Sequence, residues 1–254
     1  MRWRTKRKFI YTSIALVPLV VIVGVIYAAT FFPTPTCSDG IKNQGEAGVD
    51  CGDICNRICQ APIPEVDVVW SRSFQVSDNV YNAAAYIENP NVNLIAKDVS
   101  YKFSVYDRDN ILITERRGSL NILPQPVVTA FVPGVVTQGR EVGRTAFELT
   151  STPYWETPLS KEVRFEIQNR NLDVSENPRL SLDIVNENPR PVANIVLAAL
   201  IFDTSGEAVH VSQTTIDRLD LQGSESIIFT WRQPFPGDSE SYQTEIIPIS
   251  YQLD

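Results

Sequence analysis

Beyond residue 66 the chain alternates apolar and polar positions with a period of two. Val66, Val68 and Trp70 form one such run, followed by Tyr101, Phe103 and Val105, then Val163, Phe165 and Ile167, then Leu180, Leu182 and Ile184. Successive side chains of a strand point to opposite faces, so this spacing predicts strands with one buried and one solvated face. Asn, Pro, Asp and Gly separate the runs, and many of the 17 prolines fall in these gaps, where a residue without an N–H donor ends strand pairing. No long amphipathic helical pattern occurs in this part, which predicts an all-β region. Residues 9–32 carry a different pattern, an unbroken run without one charged side chain. At about 1.5 Å per residue a helix of that length covers roughly 36 Å, enough for a hydrocarbon layer of about 30 Å.

That run predicts a membrane anchor. Arg2, Arg4, Lys6, Arg7 and Lys8 immediately precede it, and positive charge marks the end kept in the cytoplasm. Pro18 and Gly24 are tolerated within membrane helices, and Trp3, Tyr11, Tyr27, Phe31 and Phe32 suit the two interfaces. The competing reading is a cleaved secretory signal, whose apolar core is normally about 7 to 15 residues and ends at a small-x-small site. Here the core is longer, and Ile26 and Tyr27 stand where a small residue is needed upstream of Ala28 and Ala29. The anchor reading places residues 1–8 in the cytoplasm, 9–32 in the membrane and the remainder outside, in the cell envelope.

An internal repeat suggests the architecture of that remainder. Glu88, Asn89 and Pro90 recur as Glu187, Asn188 and Pro189; after a shortening, Lys97–Val99 aligns with Ala193–Ile195, and Val105, Tyr106 and Asp107 with Ile201, Phe202 and Asp203. Leu120 and Leu123 then align with Ile216 and Leu219. Each aromatic-Asp pair opens a predicted hairpin turn, with Asn110 or Gly206 supplying positive φ. Two copies of one fold, each the size of an immunoglobulin-like sandwich, are expected at 66–160 and 161–254. Tyr154 and Trp155, between Pro153 and Pro158, are expected to wedge the copies apart at their junction, and Trp231 to join the second core.

Charge narrows the partners. The chain has 22 basic and 30 acidic residues, net −8, and the five basic residues of the amino terminus leave everything after them more acidic still. Such a surface repels phosphate backbones and anionic lipid, which argues against nucleic acid as a partner.

Cys37, Cys51, Cys55 and Cys59 cluster just after the expected anchor, and no other cysteine occurs. An even, closely spaced set outside the cytoplasm predicts two disulfides stapling residues 33–60, a segment with too few large apolar side chains for a core of its own. Residues 61–65 read as a linker. Sequence leaves all three disulfide pairings open. A four-thiolate zinc site is the competing use, at spacings that are not Cys-x-x-Cys. Asp39, Asn43, Glu46 and Asp50, set among glycines, could offer oxygens to calcium, which takes six to eight such ligands. A solvated acidic loop with glycine turns explains them equally well.

The stretch Cys37–Gly52 resembles a short cysteine motif of exported bacterial surface proteins, Cys-x-Asp-Gly-x-x-Asn-x-x-Glu-x-x-Val-Asp-Cys-Gly-Gly-x-Cys-x-x-Cys. It departs from that motif at Asp53 and by one extra residue before Cys59. The resemblance implies export and a bacterial surface setting, and no activity. The two β copies, through Val105, Tyr106, Asp107 and Ile201, Phe202, Asp203 with their Asn-Pro steps and Leu-rich downstream segments, resemble the FxLYD and late-embryogenesis-abundant type-14 group of β-sandwiches. That group implies non-catalytic extracytoplasmic modules without a common ligand.

Catalytic signatures are sparse. His210 is the single histidine, and no Gly-x-Ser-x-Gly elbow, Ser-x-x-Lys pair or phosphate loop is present. Asp107 with Asp109, and Asp217 with Asp220, read as turn formers and not as a glycosidase pair across a cleft. The sequence thus predicts a non-enzymatic, single-pass envelope protein that acts as a scaffold or adhesin for another envelope or surface protein. A calcium- or small-ligand-binding accessory or sensor subunit is the alternative.

Overall fold

The computed structural model describes residues 3–31, 36–52, 54–55, 63–158 and 163–253. Arg2, Asp53, Cys59 and most of the expected linker lie outside the described residues. The chain divides into two compact units, Met1–Ile63 and Pro64–Asp254.

The first unit contains helix α1, Trp3–Phe31, with Pro18 inside it. Its described side chains, at 11–14, 16–25 and 27, are exposed. Among the described residues no helix is long and apolar enough to cross a membrane. Residues 36–52 and 54–55 form turns and two short bridges, Gly48 with Cys51 and Gly52 with Cys55.

The second unit is antiparallel β apart from one 3-10 turn, Ser239–Ser241. Its first half holds β1 (Asp67–Ser77), β2 (Val80–Glu88), β3 (Ile95–Asp107), β4 (Leu112–Ile122), β5 (Val127–Val136), β6 (Val142–Leu149) and the short β7 (Trp155–Glu156). The second half holds β8 (Phe165–Asp173), β9 (Arg179–Asn186), β10 (Val192–Phe202), β11 (Ala208–Leu219), β12 (Ser224–Thr230) and β13 (Gln243–Leu253). Strand order repeats: β1-β2-β5 and β4-β3-β6 in the first half, with β7 on β3, correspond to β8-β9-β12 and β11-β10-β13 in the second. Equivalent bulges put Asp98 and Asn194 at φ 52° and 50°, and equivalent hairpin corners put Asn110 and Gly206 at φ 60° and 80°. Asp107 and Asp203 each accept backbone N–H donors across their hairpin, from Asp109 and Ile111 and from Ser205 and Glu207.

Three apolar layers separate these four sheets. Ala83, Ala85, Ile87, Val128 and Ala130 meet Val99, Phe103, Val105 and Ile122 inside the first copy. Leu180, Leu182, Ile184 and Phe229 meet Ile195, Leu197, Ile201 and Ile216 inside the second. The third layer joins the copies: Phe74 and Ala84, with Trp70, Tyr86 and Phe131, pack against Ala198, Leu200, Val211 and Ile247. Strands β2 and β10 are therefore covered on both faces. Ala83, Ala84 and Ala85 are all fully buried, as are Ala198 to Ile201.

This junction is not the expected one. Trp155 pairs through β7 with Ala96 and packs on the first core, while Tyr154 is 70% exposed, so neither wedges the copies. The copies meet through whole sheet faces, which removes far more apolar surface from water than two aromatic side chains could.

Register fixes which positions are equivalent and shows how the faces differ. Lys102, Ser104, Glu115 and Glu148 in the first copy stand where Ala198, Leu200, Val211 and Ile247 stand in the second. In the first copy these positions face outward, and Lys102 bridges Glu115 at 3.4 Å and Glu148 at 2.7 Å. On the other sheet, Ala84 and Tyr86 correspond to Ser181 and Asp183. Asp183 accepts from Asn169 and Ser226, and these bonds hold its carboxyl below the usual range. One fold thus carries apolar side chains where a face meets its neighbour and polar ones where it meets water.

Candidate functional site

In the stapled segment Cys37 is bonded to Cys55, with Cα atoms 5.6 Å apart. Cys51 is also disulfide-bonded. A bonded sulfur has no thiolate to offer, so Cys37, Cys51 and Cys55 do not form the zinc site weighed from the sequence. Glu46 is buried between the bridge and the turns, its Oε1 3.2 Å from Cys55 Sγ. That sulfur carries no proton, and the approach is a packing contact.

The four residues considered for calcium are brought together, and their carboxylates hold the backbone. Asp50 accepts from the N–H groups of Asp39 and Gly40. Glu46 Oε2 accepts from Asp50 N at 3.0 Å and Asn43 N at 3.3 Å. Asp39 accepts from Thr36 N, Asn43 Nδ2 and Ile41 N, bonds that hold its carboxyl below the ordinary range. These oxygens stabilise turns that have almost no core beneath them. The topology residues Arg4, Lys6, Arg7 and Lys8 fall within α1.

Replacing both Cys37 and Cys55 by Ser should destabilise this segment by about 3 kcal/mol, the loop-closure value for a separation of 18 residues. Hydrogen exchange should accelerate in 36–55 and stay unchanged in Pro64–Asp254. Equal acceleration in both units would contradict a local staple.

The surface between the β copies combines apolar packing with polar pairing. Trp70 stacks on Tyr86 at 5.6 Å, and Tyr86 meets Phe202 edge-on at 6.3 Å. Tyr86 donates to Glu245 at 3.3 Å across the junction. Burial, reinforced by the Glu245 charge, pushes the Tyr86 hydroxyl up to about 12, and burial raises Glu245 as well. Arg72 pairs with Glu207, and Gln125 donates to Pro248 O at 2.9 Å. Such directional bonds fix the register of the two copies more than they add stability.

A buried amide pair, unforeseen from the sequence, organises one end of each copy. Asn89 Nδ2 donates to Leu123 O and Gln125 O, Asn89 Oδ1 accepts from Asn91 N, and Asn91 Nδ2 reaches Pro64 O. In the second copy Asn186 Nδ2 donates to Arg190 O, Leu219 O and Asp220 O, Asn186 Oδ1 accepts from Asn188 N, and Asn188 Nδ2 reaches Arg164 O. Asn89 is therefore the counterpart of Asn186, and Asn91 of Asn188. The Glu-Asn-Pro alignment was displaced by two residues, because the conserved physical element is Asn-x-Asn and the proline sits between the amides in one copy and after them in the other. The Asn-x-Asn spacing at 89–91 and 186–188 was the available signal.

Other candidate residues are structural. Asp107 closes its hairpin and pairs with Arg140, whereas Asp217 lies in β11 and not in a turn. Trp231 packs on the second core. His210 lies flat on Phe235, ring centroids 3.8 Å apart, and burial lowers it to about 4. Above pH 6.5 it is neutral both folded and unfolded. Between 6.5 and about 4 only the unfolded chain takes up the proton, so stability falls with pH through that window. Allowing for partial exposure the loss is about 1 to 2 kcal/mol. His210→Gln should flatten that part of the stability–pH curve, measured by denaturant unfolding. An unchanged slope would assign the acid sensitivity elsewhere.

No family model matches the chain, and no curated protein matches it. Among solved structures, red sea bream transglutaminase aligns with a TM-score of 0.24 at 8% identity, over 73% of this chain and 29% of that one. Bacteroides uniformis β-glucuronidase 2 aligns at 0.21 and 14%, over 67% and 24%. A β-glucuronidase from Ruminococcus gnavus aligns at 0.20 and 12%, over 70% and 36%. The chain spans roughly a quarter to a third of these enzymes, and likenesses this weak carry no functional argument.

Proposed function

We propose that the chain is a membrane-tethered, non-catalytic scaffold of the cell envelope, which presents two immunoglobulin-like β-sandwiches outside the cytoplasm to another envelope or surface protein. The observation that carries this reading is the apolar layer shared by the copies, whose equivalent positions turn polar wherever the face meets water. A fixed pair of sheets with specified outer surfaces suits presentation to a partner. The Cys37–Cys55 bridge supports an oxidising compartment. The uncharged run at 9–32 with its basic flank supports the tether and its orientation. Calcium binding is the weaker alternative, because Asp39, Glu46 and Asp50 direct their oxygens to backbone N–H groups.

A membrane-impermeant amine reagent applied to intact cells tests the orientation. Lys97, whose side chain is 56% exposed, should be labelled to the same extent before and after lysis, and the protein should sediment with membranes. Labelling only after lysis would overturn the outward placement, and release by high salt would overturn the tether.

A further inference from the structure

Beside the shared apolar layer the two copies enclose a cleft of about 130 Å³, lined by Phe74, Gln75 and Asn82 on one side and His210, Trp231 and Arg232 on the other. Three features set it apart. In a chain with 30 acidic residues, no carboxylate lines it. The Trp231 indole Nε1 is buried without an acceptor, a rare state for a donor that has lost its water. Arg232 is exposed and has no ion-pair partner among the described residues.

The donors are held in place. Trp231 packs edge-on against Phe235 at 5.3 Å, and Phe235 is stacked on His210. Asn82 Oδ1 accepts from Gly134 N, which leaves its Nδ2 as a free donor. The first copy has no counterpart of the indole, since Tyr81 pairs with Val135 where its equivalent Pro178 meets Trp231.

We propose that this cleft binds a carboxylate group, with its oxygens accepting from Trp231 Nε1 and the Arg232 guanidinium and with Gln75 and Asn82 as further amide donors. A guanidinium beside a second donor matches the two oxygens of a carboxylate. The volume lies below the 300 to 1,000 Å³ usual for whole small-molecule ligands, so the cleft takes a head group of a few atoms. A free short acid and the carboxyl end of a partner peptide share that chemistry. This holds independently of the membrane placement.

The test follows the indole N–H resonances of the full-length protein in detergent micelles, with Trp231 assigned through Trp231→Phe. Sodium acetate should shift the Trp231 resonance to saturation, whereas sodium chloride at equal ionic strength should not. Arg232→Gln, at an exposed position, should weaken acetate at least tenfold and leave the other indole resonances in place. A short peptide with a free carboxyl terminus competing with acetate, while its amidated form does not, would assign a chain end; competition by neither would assign a free acid. No response to acetate, with only a long-lived water at the indole, would overturn the site. An equal response to chloride, or unchanged affinity in Arg232→Gln, would also overturn it.

Discussion

Val211→Glu should unfold in two thermal transitions where the native protein shows one, with the first lowered by about 10 °C. Val211 is 2% exposed in the layer between the copies, beside Leu200. Arg72 is already paired with Glu207, and Arg232, which lines the adjoining cleft, is exposed to solvent, so neither guanidinium is a buried partner for a carboxylate there. Burying an unpaired charge costs several kcal/mol, about 4 or more here. The second copy should respond first, since the substituted strand also supports its internal core. The equivalent Glu115 is harmless because its sheet faces water and Lys102 sits beside it. Calorimetry of the full chain checks this; one transition with an unshifted midpoint would mean that the copies do not stabilise each other.

Asn186→Asp should cost about 4 kcal/mol at neutral pH and exceed the loss in Asn186→Ala. Asn186 is fully buried, and its amide N–H groups serve three carbonyls within 3.3 Å. Alanine removes all three bonds and the acceptor of Asn188 N, although Gly223 N still donates to Asp220 O, at about 2 to 3 kcal/mol. Aspartate keeps the acceptor for Asn188 N but loses the three donors and sets a buried charge against the carbonyl oxygens. Burial raises the carboxyl of the variant, so folding favours its protonated form and stability should recover as pH falls. Denaturant midpoints at pH 7 and pH 5 read both effects. An alanine variant as unstable as the aspartate variant would show that charge plays no part.

The fold was legible where one face of a strand meets solvent. In β3 the sequence Val99-Ser100-Tyr101-Lys102-Phe103 alternates, and its burial alternates with it. The hairpins were legible too, because Asp107 and Asp203 act through local bonds that depend on sequence neighbours alone. The shared layer was harder to read. Its signal is the continuous apolar run Ile195 to Phe202 in β10, together with Ala83 to Ala85 in β2, since strands covered on both faces lose the period of two. Trp155 misled because Tyr154, Trp155 and two prolines describe composition at a junction but not which core an indole faces. The acidic cluster was read for its oxygens, whereas their use depends on which N–H groups the turns bring near, and that is a property of the folded backbone.

The way the copies meet has an outcome for the species as a whole. Sheet β1-β2-β5 of one lies on the counterpart of β4-β3-β6 in the next, a head-to-tail contact between unlike faces that leaves one face of each kind free. Were every copy like the inner faces, molecules could add end to end without limit and build a fibre. Lys102, Glu115 and Glu148 at one end, and Ser181 with Asp183 at the other, terminate that polymer at two.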